Sequence, residues 1–293
     1  MDHTIPYESG RIAILADFHI DSYERAGENV VTASGLERLF DGSLDALLIA
    51  GDLTNGPPTR WIRGLSYLTH HIAPERIYVI PGNHDYYGAA LTDEHLLAEH
   101  ARSIGAHFVQ QAELRHGDTR LLCCTLWTDF DLVGDAEKAM GVAGRIMRDY
   151  SQIWKEIPVK PLATGDGIGW QPSVSEIEPE DILALHRDHR DWLERGLMTP
   201  HPAGDAGRTV VVTHHGPHLS VAGPIDDLTP AFHSDMTDLI ERFEPDAWFF
   251  GHSHRRLRAI VGKTDVRNVS VGYAREFHRS ESDYLIDACV WES

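Results

Sequence analysis

The 293-residue chain is predicted to adopt an α/β fold. Six short apolar runs read as strands, helical segments lie between them, and each run ends in small or polar residues. Alternating strands and helices are typical of α/β proteins, in which ligands bind beyond the carboxyl ends of the strands. With 42% hydrophobic residues the chain can bury a large core, and we expect a single domain over residues 1–293.

The six runs predict buried strands that deliver polar side chains at their carboxyl ends. Short apolar stretches bounded by glycine or polar residues are typical of strands that are covered on both faces. In chain order the runs are "RIAILADFH" (11–19), "LDALLIAGD" (44–52), "RIYVIPGNHD" (76–85), "TRLLCCTLW" (119–127), "RTVVVTHH" (208–215) and "DAWFFGHSH" (246–254).

Four segments predict helices. The first two begin with a threonine that can cap a helix and end at a glycine, the third has a proline in its first turn, and the fourth ends before a proline. In order they are "TASGLERLFDG" (32–42), "TDEHLLAEHARSIG" (92–105), "EPEDILALHRDHRDWLERG" (178–196) and "SDMTDLIERFEP" (234–245).

Residues 129–180 interrupt the alternation. A helical stretch, "DAEKAMGVAGRIMRDYSQIW" (135–154), is followed by a loop that contains glycine and proline, "PLATGDGIGWQPS" (161–173). Long irregular stretches inside a compact domain are often functional lids or binding loops. We therefore predict an insertion or lid over the site at about 129–180, with a peripheral loop as the alternative.

The composition limits the classes of partner. The formal net charge is −19, and such a field repels polyanions, because nucleic-acid binding depends on lysine and arginine neutralising phosphates. A nucleic-acid partner is therefore possible but disfavoured. The sequence has no leader-like start and no run of about 18 or more apolar residues. We expect a cytoplasmic protein without a membrane span.

Five groups of polar residues follow the predicted strands and can converge on one site. In an extended chain residues i and i+2 point to the same side, so an Asp-x-His or His-x-His pair would aim two side chains at one place. Carboxylate and amide oxygens with imidazole nitrogens suit Mn, Fe, Zn or similar ions. A carboxylate such as that of Asp52 can bridge two ions about 3.5–4 Å apart.

Together, these groups resemble the signature set of the calcineurin-like metallophosphoesterases. The resemblance implies a four-layer αββα sandwich with two mixed β-sheets around a dinuclear metal centre. It implies one ion held by Asp17, His19, Asp52 and His254, and another held by Asp52, Asn83, His214 and His252. The motifs that carry it are D-x-H (17–19), G-D-x-x-N (51–55), G-N-H-D (82–85), H-H (214–215) and G-H-x-H (251–254).

The resemblance gives His84 a different task. It follows the ligand Asn83 and faces the substrate, where it could stabilise developing charge or protonate the leaving oxygen. The family's serine/threonine phosphatases pair this histidine with an aspartate, but this chain has Asn55 at that position. An amide can orient an imidazole but cannot hold it protonated as a carboxylate does. Asp85 is a candidate to replace that carboxylate in part.

Two further residues are candidates for substrate contacts. His218, in "HHGPH", is a candidate to contact the substrate or to support a metal ligand. Arg255 follows the last motif and could contact a phosphate; a solvated surface arginine is the alternative.

The resemblance implies a hydrolase of phosphoric esters that uses a metal-bridging hydroxide for in-line attack. No arginine-rich motif of the protein-phosphatase kind accompanies "GDLTN", which favours a phosphodiesterase acting on a small-molecule ester. A phosphomonoesterase and a nuclease on the same metal core are the alternatives. A non-catalytic metal-binding scaffold is less favoured, because the chain retains every ligand and the histidine at position 84.

Overall fold

The computed structural model describes residues 3–157, 162–164, 167–169 and 173–293. Their strands are β1 (His3–Thr4), β2 (Arg11–Leu15), β3 (Ala46–Ala50), β4 (Ile77–Ile80), β5 (Ala89–Ala90), β6 (His107–Phe108), β7 (Ala112–His116), β8 (Thr119–Cys124), β9 (Ile153–Ile157), β10 (Leu162–Thr164), β11 (Gly167–Gly169), β12 (Ser173–Glu176), β13 (Arg208–Thr213), β14 (Ala247–Phe250), β15 (Arg258–Val261), β16 (Thr264–Asn268) and β17 (Val290–Glu292). Their α-helices are α1 (Ile20–Ala26), α2 (Val30–Ala33), α3 (Arg60–Leu68), α4 (Glu94–Ile104), α5 (Ala136–Ile146), α6 (Asp149–Gln152), α7 (Pro179–Met198), α8 (Thr237–Phe243) and α9 (Ser282–Cys289).

Two mixed sheets form the centre of the fold. The larger has seven strands in the order β1-β7-β8-β13-β14-β16-β15, and β8, β13, β14 and β16 run parallel. The smaller has five strands in the order β17-β2-β3-β4-β6, of which only β17 is antiparallel to its neighbour. All six predicted strands are present. Three of them lie side by side and parallel in each sheet, so within each sheet their carboxyl ends point the same way.

The larger sheet separates two hydrophobic cores. Val210 and Val212 of β13 share a core with the smaller sheet and with helices α3 and α4, whereas Val211 packs with residues of α7 and α8. Val211 is paired in register with Leu122 of β8 and Trp248 of β14, which lie in the same outer core. Helices, sheet, sheet and helices therefore form four layers, which confirms the expected αββα sandwich.

Three of the four predicted helices are present as α4, α7 and α8. Helix α4 ends at Ile104 and is capped by Gly105, whose φ is 91°, and α7 begins at its predicted proline. The prediction of one helix over 32–42 is wrong. Gly35 has a φ of 68° and separates α2 from a 3₁₀ turn at Leu36–Leu39, and Asn29 rather than a threonine caps α2. None of the helices that the structure describes has the length and apolar composition needed to cross a bilayer.

The described part of residues 129–180 is more regular than predicted. Helices α5 and α6 match the predicted helical stretch, but β9 pairs with β12 and with β5 in a three-stranded sheet, and β10 pairs with β11. The prediction of an irregular loop over 161–173 is therefore wrong at 162–164 and 167–169; residues 161, 165–166 and 170–172 lie outside the described residues. Because β5 closely follows the G-N-H-D motif, this small sheet attaches residues 129–180 to the candidate site. Their role as a lid stays a prediction.

Candidate metal centre

Five polar segments meet at one edge of the sandwich, beyond the carboxyl ends of β2, β3, β4, β13 and β14. Backbone hydrogen bonds join them: the Asp17 N–H donates to the Gly51 carbonyl at 3.0 Å, and the Gly251 N–H donates to the His214 carbonyl at 3.0 Å. Six of the seven predicted ligands are buried, and the side chain of the seventh, His254, is 14% exposed. The fold therefore brings all seven residues together.

The backbone at the site departs from the extended geometry that the sequence analysis assumed. Asp17, His19, Asp52, His252 and His254 have φ angles between 39° and 64°. They are half of the ten non-glycine residues with positive φ in the described chain. The extended-chain explanation of the Asp-x-His and His-x-His pairs is therefore wrong, because both pairs lie beyond their strands in left-handed conformations. Such conformations cost roughly 1–2 kcal/mol per residue and are typically retained at functional sites.

Two glycines allow the backbone to approach the candidate carboxylate ligands. A Cβ atom on Gly251 would overlap Asp17 Oδ2, and one on Gly82 would overlap Asp52 Oδ1, so a side chain does not fit at either position. The close approach lets the His252 N–H donate to both Asp17 oxygens, at 3.1 and 2.9 Å. These contacts fix the orientation of the Asp17 carboxylate.

The first group of candidate ligands consists of Asp17, His19, Asp52 and His254. The Nε2 atoms of His19 and His254 lie 3.1 Å apart. His254 Nε2 is 3.4 Å from Asp17 Oδ1, and His19 Nε2 is 3.7 Å from Asp52 Oδ2. Donor atoms from three chain segments therefore face one small volume. This group is the set that the resemblance assigns to one metal ion.

The second group consists of Asp52, Asn83, His214 and His252. His214 Nε2 lies 3.5 Å from Asp52 Oδ1 and 3.1 Å from Asn83 Oδ1. Ligand atoms of Asp52, His214 and His252 all lie within 4.8 Å of one another. Asp52 therefore turns Oδ2 towards the first group and Oδ1 towards the second, which is the arrangement that a bridging carboxylate requires.

The chemistry of both groups fits metal cations. Burial raises the pKa of Asp52 well above its usual range, and the nearby Asp17 and Asp85 carboxylates raise it further, so a cation would stabilise the ionised form. Burial lowers the pKa values of His19 and His252 well below their usual range, which keeps these two imidazoles in the neutral form that binds metals. Burial also lowers the pKa of His254, but the Asp17 and Glu276 carboxylates outweigh it and raise that pKa to about 9, so a bound cation would displace the His254 proton. The buried Nε2 of His252 also has no hydrogen-bond partner within the described residues. A buried polar atom of this kind is costly unless a ligand satisfies it.

Outer hydrogen bonds orient two of the candidate histidine ligands. His214 Nδ1 donates to the Ala50 carbonyl at 2.9 Å, and His254 Nδ1 donates to the Glu276 carboxylate at 2.7 Å. Such bonds fix which ring nitrogen faces a metal. Sequence reasoning missed Glu276, because it follows His254 by 22 residues and reaches it only through the loop after β16.

Asp149 is a second residue that the sequence analysis missed. Its buried carboxylate accepts hydrogen bonds from Asn83 Nδ2, at 3.0 and 3.1 Å, and from the Tyr87 hydroxyl, at 2.5 Å. With its amide nitrogen held in this way, Asn83 presents Oδ1 towards His214. Residues 129–180 therefore supply the contact that orients a candidate ligand.

We expect Asp149→Ala to weaken metal binding and to lower kcat/KM for a phosphoester substrate roughly 10- to 100-fold, because it releases the Asn83 amide. Asp149→Asn should recover part of the loss, since its amide oxygen can still accept one of the hydrogen bonds. Metal content and metal titration measure the effect. Asp131→Ala, an exposed position in the same region, is the control. Wild-type metal affinity in Asp149→Ala would contradict the positioning role.

His84 lies between the candidate ligands and the adjoining cleft. Its side chain is 20% exposed, and its Nε2 is 4.0 Å from Asp52 Oδ2 and 3.5 Å from the Tyr87 hydroxyl. Burial, with smaller effects from His214 and His254, lowers the pKa of His84 to about 3. Its Nδ1 has no hydrogen-bond partner in the part of the chain that the structure describes. A neutral ring in this place can donate a hydrogen bond into the cleft.

Asn55 and Asp85 have partners other than the His84 imidazole. The backbone and side-chain N–H groups of Asn55 donate to Asp21 at 2.7 and 3.0 Å, and its side-chain oxygen accepts from the Tyr273 hydroxyl at 3.3 Å. Asp85 is buried and accepts from three backbone N–H groups at 2.8–3.1 Å and from one indole N–H at 2.7 Å. Asp85 therefore holds together the turns that follow β3 and β4.

His218 and Arg255 do not line the cleft that contains the candidate ligands. His218 Nδ1 accepts the Ser220 N–H at 3.0 Å. Arg255 donates to the carbonyl oxygens of Ala222 and Pro224 at 2.7 and 2.9 Å. Both side chains therefore support the loop that follows β13.

The family model for calcineurin-like phosphoesterases matches residues 10–256, most of the chain, and the chain belongs to that family. Membership of this family supports a metal-dependent hydrolase of phosphoesters. No curated protein sequence matches the chain.

The chain is similar to solved structures at low sequence identity. Phosphopantetheinyl hydrolase from Mycobacterium tuberculosis has a TM-score of 0.59 and 17% identity, with 93% of each chain covered. The protein TT1561 of Thermus thermophilus has a TM-score of 0.45 and 11% identity, with 89% of this chain and 88% of that chain covered. At 17% identity the first likeness shows the fold alone.

Proposed function

We propose that the chain is a phosphodiesterase that hydrolyses a small-molecule phosphoester at a dinuclear metal centre. The observation that carries this proposal is the space on both sides of His84. Candidate ligands line a cleft of about 490 Å³, and a second cavity of about 740 Å³ adjoins it. His84, Tyr87, Arg148 and Tyr273 line both. A phosphodiester has two substituents, and the connected spaces offer a place for each.

Each group of ligands would hold one ion, with Asp52 shared between the two groups. The ions, Mn, Fe or Zn by donor type, would supply Lewis acidity that activates water near neutral pH and offsets the phosphate charge. His84 faces the cleft beside Asp52 and donates a hydrogen bond to the phosphoryl oxygen on which charge develops. Because Asn55 and Asp85 have other partners, we assign His84 as a neutral donor rather than a strong acid.

A small molecule is the better substrate class than a nucleic-acid strand. The net charge of −19 opposes a long polyanion, which needs many cationic contacts along its length. The two open spaces, of about 490 and 740 Å³, have the size of small-ligand sites. Cleavage of supercoiled DNA by the metal-loaded protein would indicate a nuclease instead.

Protein stripped of metal and reloaded separately with Mn, Fe, Zn and Ni tests this function. We expect at least one metal to restore hydrolysis, with kcat/KM at least about tenfold higher for bis(p-nitrophenyl) phosphate than for p-nitrophenyl phosphate, since only the diester fills both spaces. Preference for the monoester would indicate a phosphatase. An absence of turnover with both metal sites filled would indicate a scaffold.

A further inference from the structure

The cavity of about 740 Å³ beside the metal centre has an unusual charge for this chain. Its lining includes four arginines, Arg25, Arg60, Arg148 and Arg275, and none of the described residues that line it is acidic. The whole chain has 45 acidic residues and 26 lysines and arginines. A cavity whose charged lining residues are all arginines therefore differs strongly from the charge composition of the chain. Several cationic groups facing one space attract anions and raise their local concentration.

One wall of the cavity is held in a fixed arrangement. The Asp21 carboxylate binds Arg25 Nη1 and Arg60 Nη1, each at 2.9 Å, and accepts both N–H hydrogen bonds of Asn55. Asp21 offsets part of the positive charge on this side. It also preorganises two guanidinium groups, because one carboxylate fixes both of them.

The other two arginine side chains that line the cavity have few contacts with the protein. Arg148 is exposed, and its guanidinium group has no hydrogen bond or ion pair with any residue that the structure describes. Arg275 is 84% exposed and lies 3.9 Å from Glu276, whose carboxylate already binds His254. Neither guanidinium group is needed to satisfy a buried partner, so a ligand can engage both without breaking strong contacts.

We propose that this arginine pocket binds a second phosphate group on the substrate, carried by the part of the molecule that lies beyond His84. The inference rests on the proposed function, because it treats the cavity as the place for one ester substituent. A guanidinium group binds phosphate or carboxylate oxygens in a bidentate manner. Several guanidinium groups around one space favour a phosphate monoester, which carries about −1.5 to −2 charge at pH 7, over a singly charged carboxylate or a neutral group. The cavity volume of about 740 Å³ suits a substituent of nucleotide size. The substrate class is therefore a phosphodiester with an additional phosphate on one arm.

Calorimetric titration of the manganese-loaded protein tests the pocket separately from turnover. The probes are thymidine 3′,5′-bisphosphate and thymidine 5′-phosphate, which differ by one phosphate group. We expect the bisphosphate to bind at least about tenfold more tightly. In the double variant R148Q/R275Q this ratio should fall at least about fivefold. The control R145Q/R187Q removes the same charge at exposed arginines that do not line the cavity and should keep the wild-type ratio.

Equal affinity of the wild-type protein for the two probes would overturn the inference. A high ratio that persists in R148Q/R275Q would overturn it as well, because the second phosphate would then bind elsewhere. Failure of the proposed function has a different signature, namely no hydrolysis of aryl diesters. Even without hydrolysis, the ratio of bisphosphate to monophosphate affinity would still report on binding in the arginine pocket.

Discussion

Replacement of Asp52 by asparagine is expected to remove at least one of the two proposed metal ions and to lower kcat/KM for a phosphodiester at least about 1,000-fold. The two oxygens of Asp52 face different groups of candidate ligands, at 3.7 Å from His19 Nε2 and 3.5 Å from His214 Nε2. An amide supplies one weaker oxygen ligand and no negative charge. Metal analysis and steady-state kinetics on purified protein measure both effects.

The Asp52→Asn variant separates metal loss from unfolding. The introduced amide would retain an oxygen that can accept the His84 backbone N–H, a hydrogen bond of 2.9 Å in the wild-type chain. The volume of the side chain also stays nearly the same, so the fold should persist. Asp118→Asn, at an exposed carboxylate outside the site, is the matched control. Two tightly bound ions and normal turnover in Asp52→Asn would show that the ligand assignment is wrong.

Replacement of His84 by alanine is expected to lower turnover at least about 100-fold while both metal ions remain bound. The imidazole faces the cleft and stands 4.0 Å from Asp52 Oδ2, but the resemblance assigns it no metal. Its loss removes a donor to the phosphoryl group without removing a ligand. The decrease in activity should appear mainly in kcat, because charge on the phosphoryl oxygen increases in the transition state.

Metal content decides between the two roles that His84 can play. Its side chain lies with donor atoms of His19 and Asp52 inside a group that could hold a cation. If His84→Ala lost an ion together with its activity, the residue would be a ligand rather than a substrate contact. Normal turnover would remove it from the mechanism. His70→Ala, at an exposed histidine, is the control.

The sequence predicted the parts of the fold that depend on local composition. Runs such as "ALLIA" are buried along their full length, so an apolar stretch was sufficient to identify β3. The helix over 32–42 failed because its interior contains Gly35, which adopts a positive φ and separates two short turns. Its cap is Asn29, three residues before the threonine that the sequence favoured.

The candidate site was predictable in its donor residues but not in its supports. Aspartate and histidine at strand ends are visible in the sequence, whereas Asp149 and Glu276 act on Asn83 and His254 from distant segments. Nothing local distinguishes them from surface carboxylates. The left-handed backbone at the ligands was also missed, because a spacing of two residues is equally consistent with an extended strand and with a turn.

Anomalous X-ray diffraction from crystals of the manganese-loaded protein tests the central claim most directly. Two anomalous peaks about 3.5–4 Å apart are expected, with one Asp52 oxygen bound to each. The first peak should be bound by Asp17, His19 and His254, and the second by Asn83, His214 and His252. A single peak between the two groups, or peaks away from Asp52, would contradict the dinuclear centre.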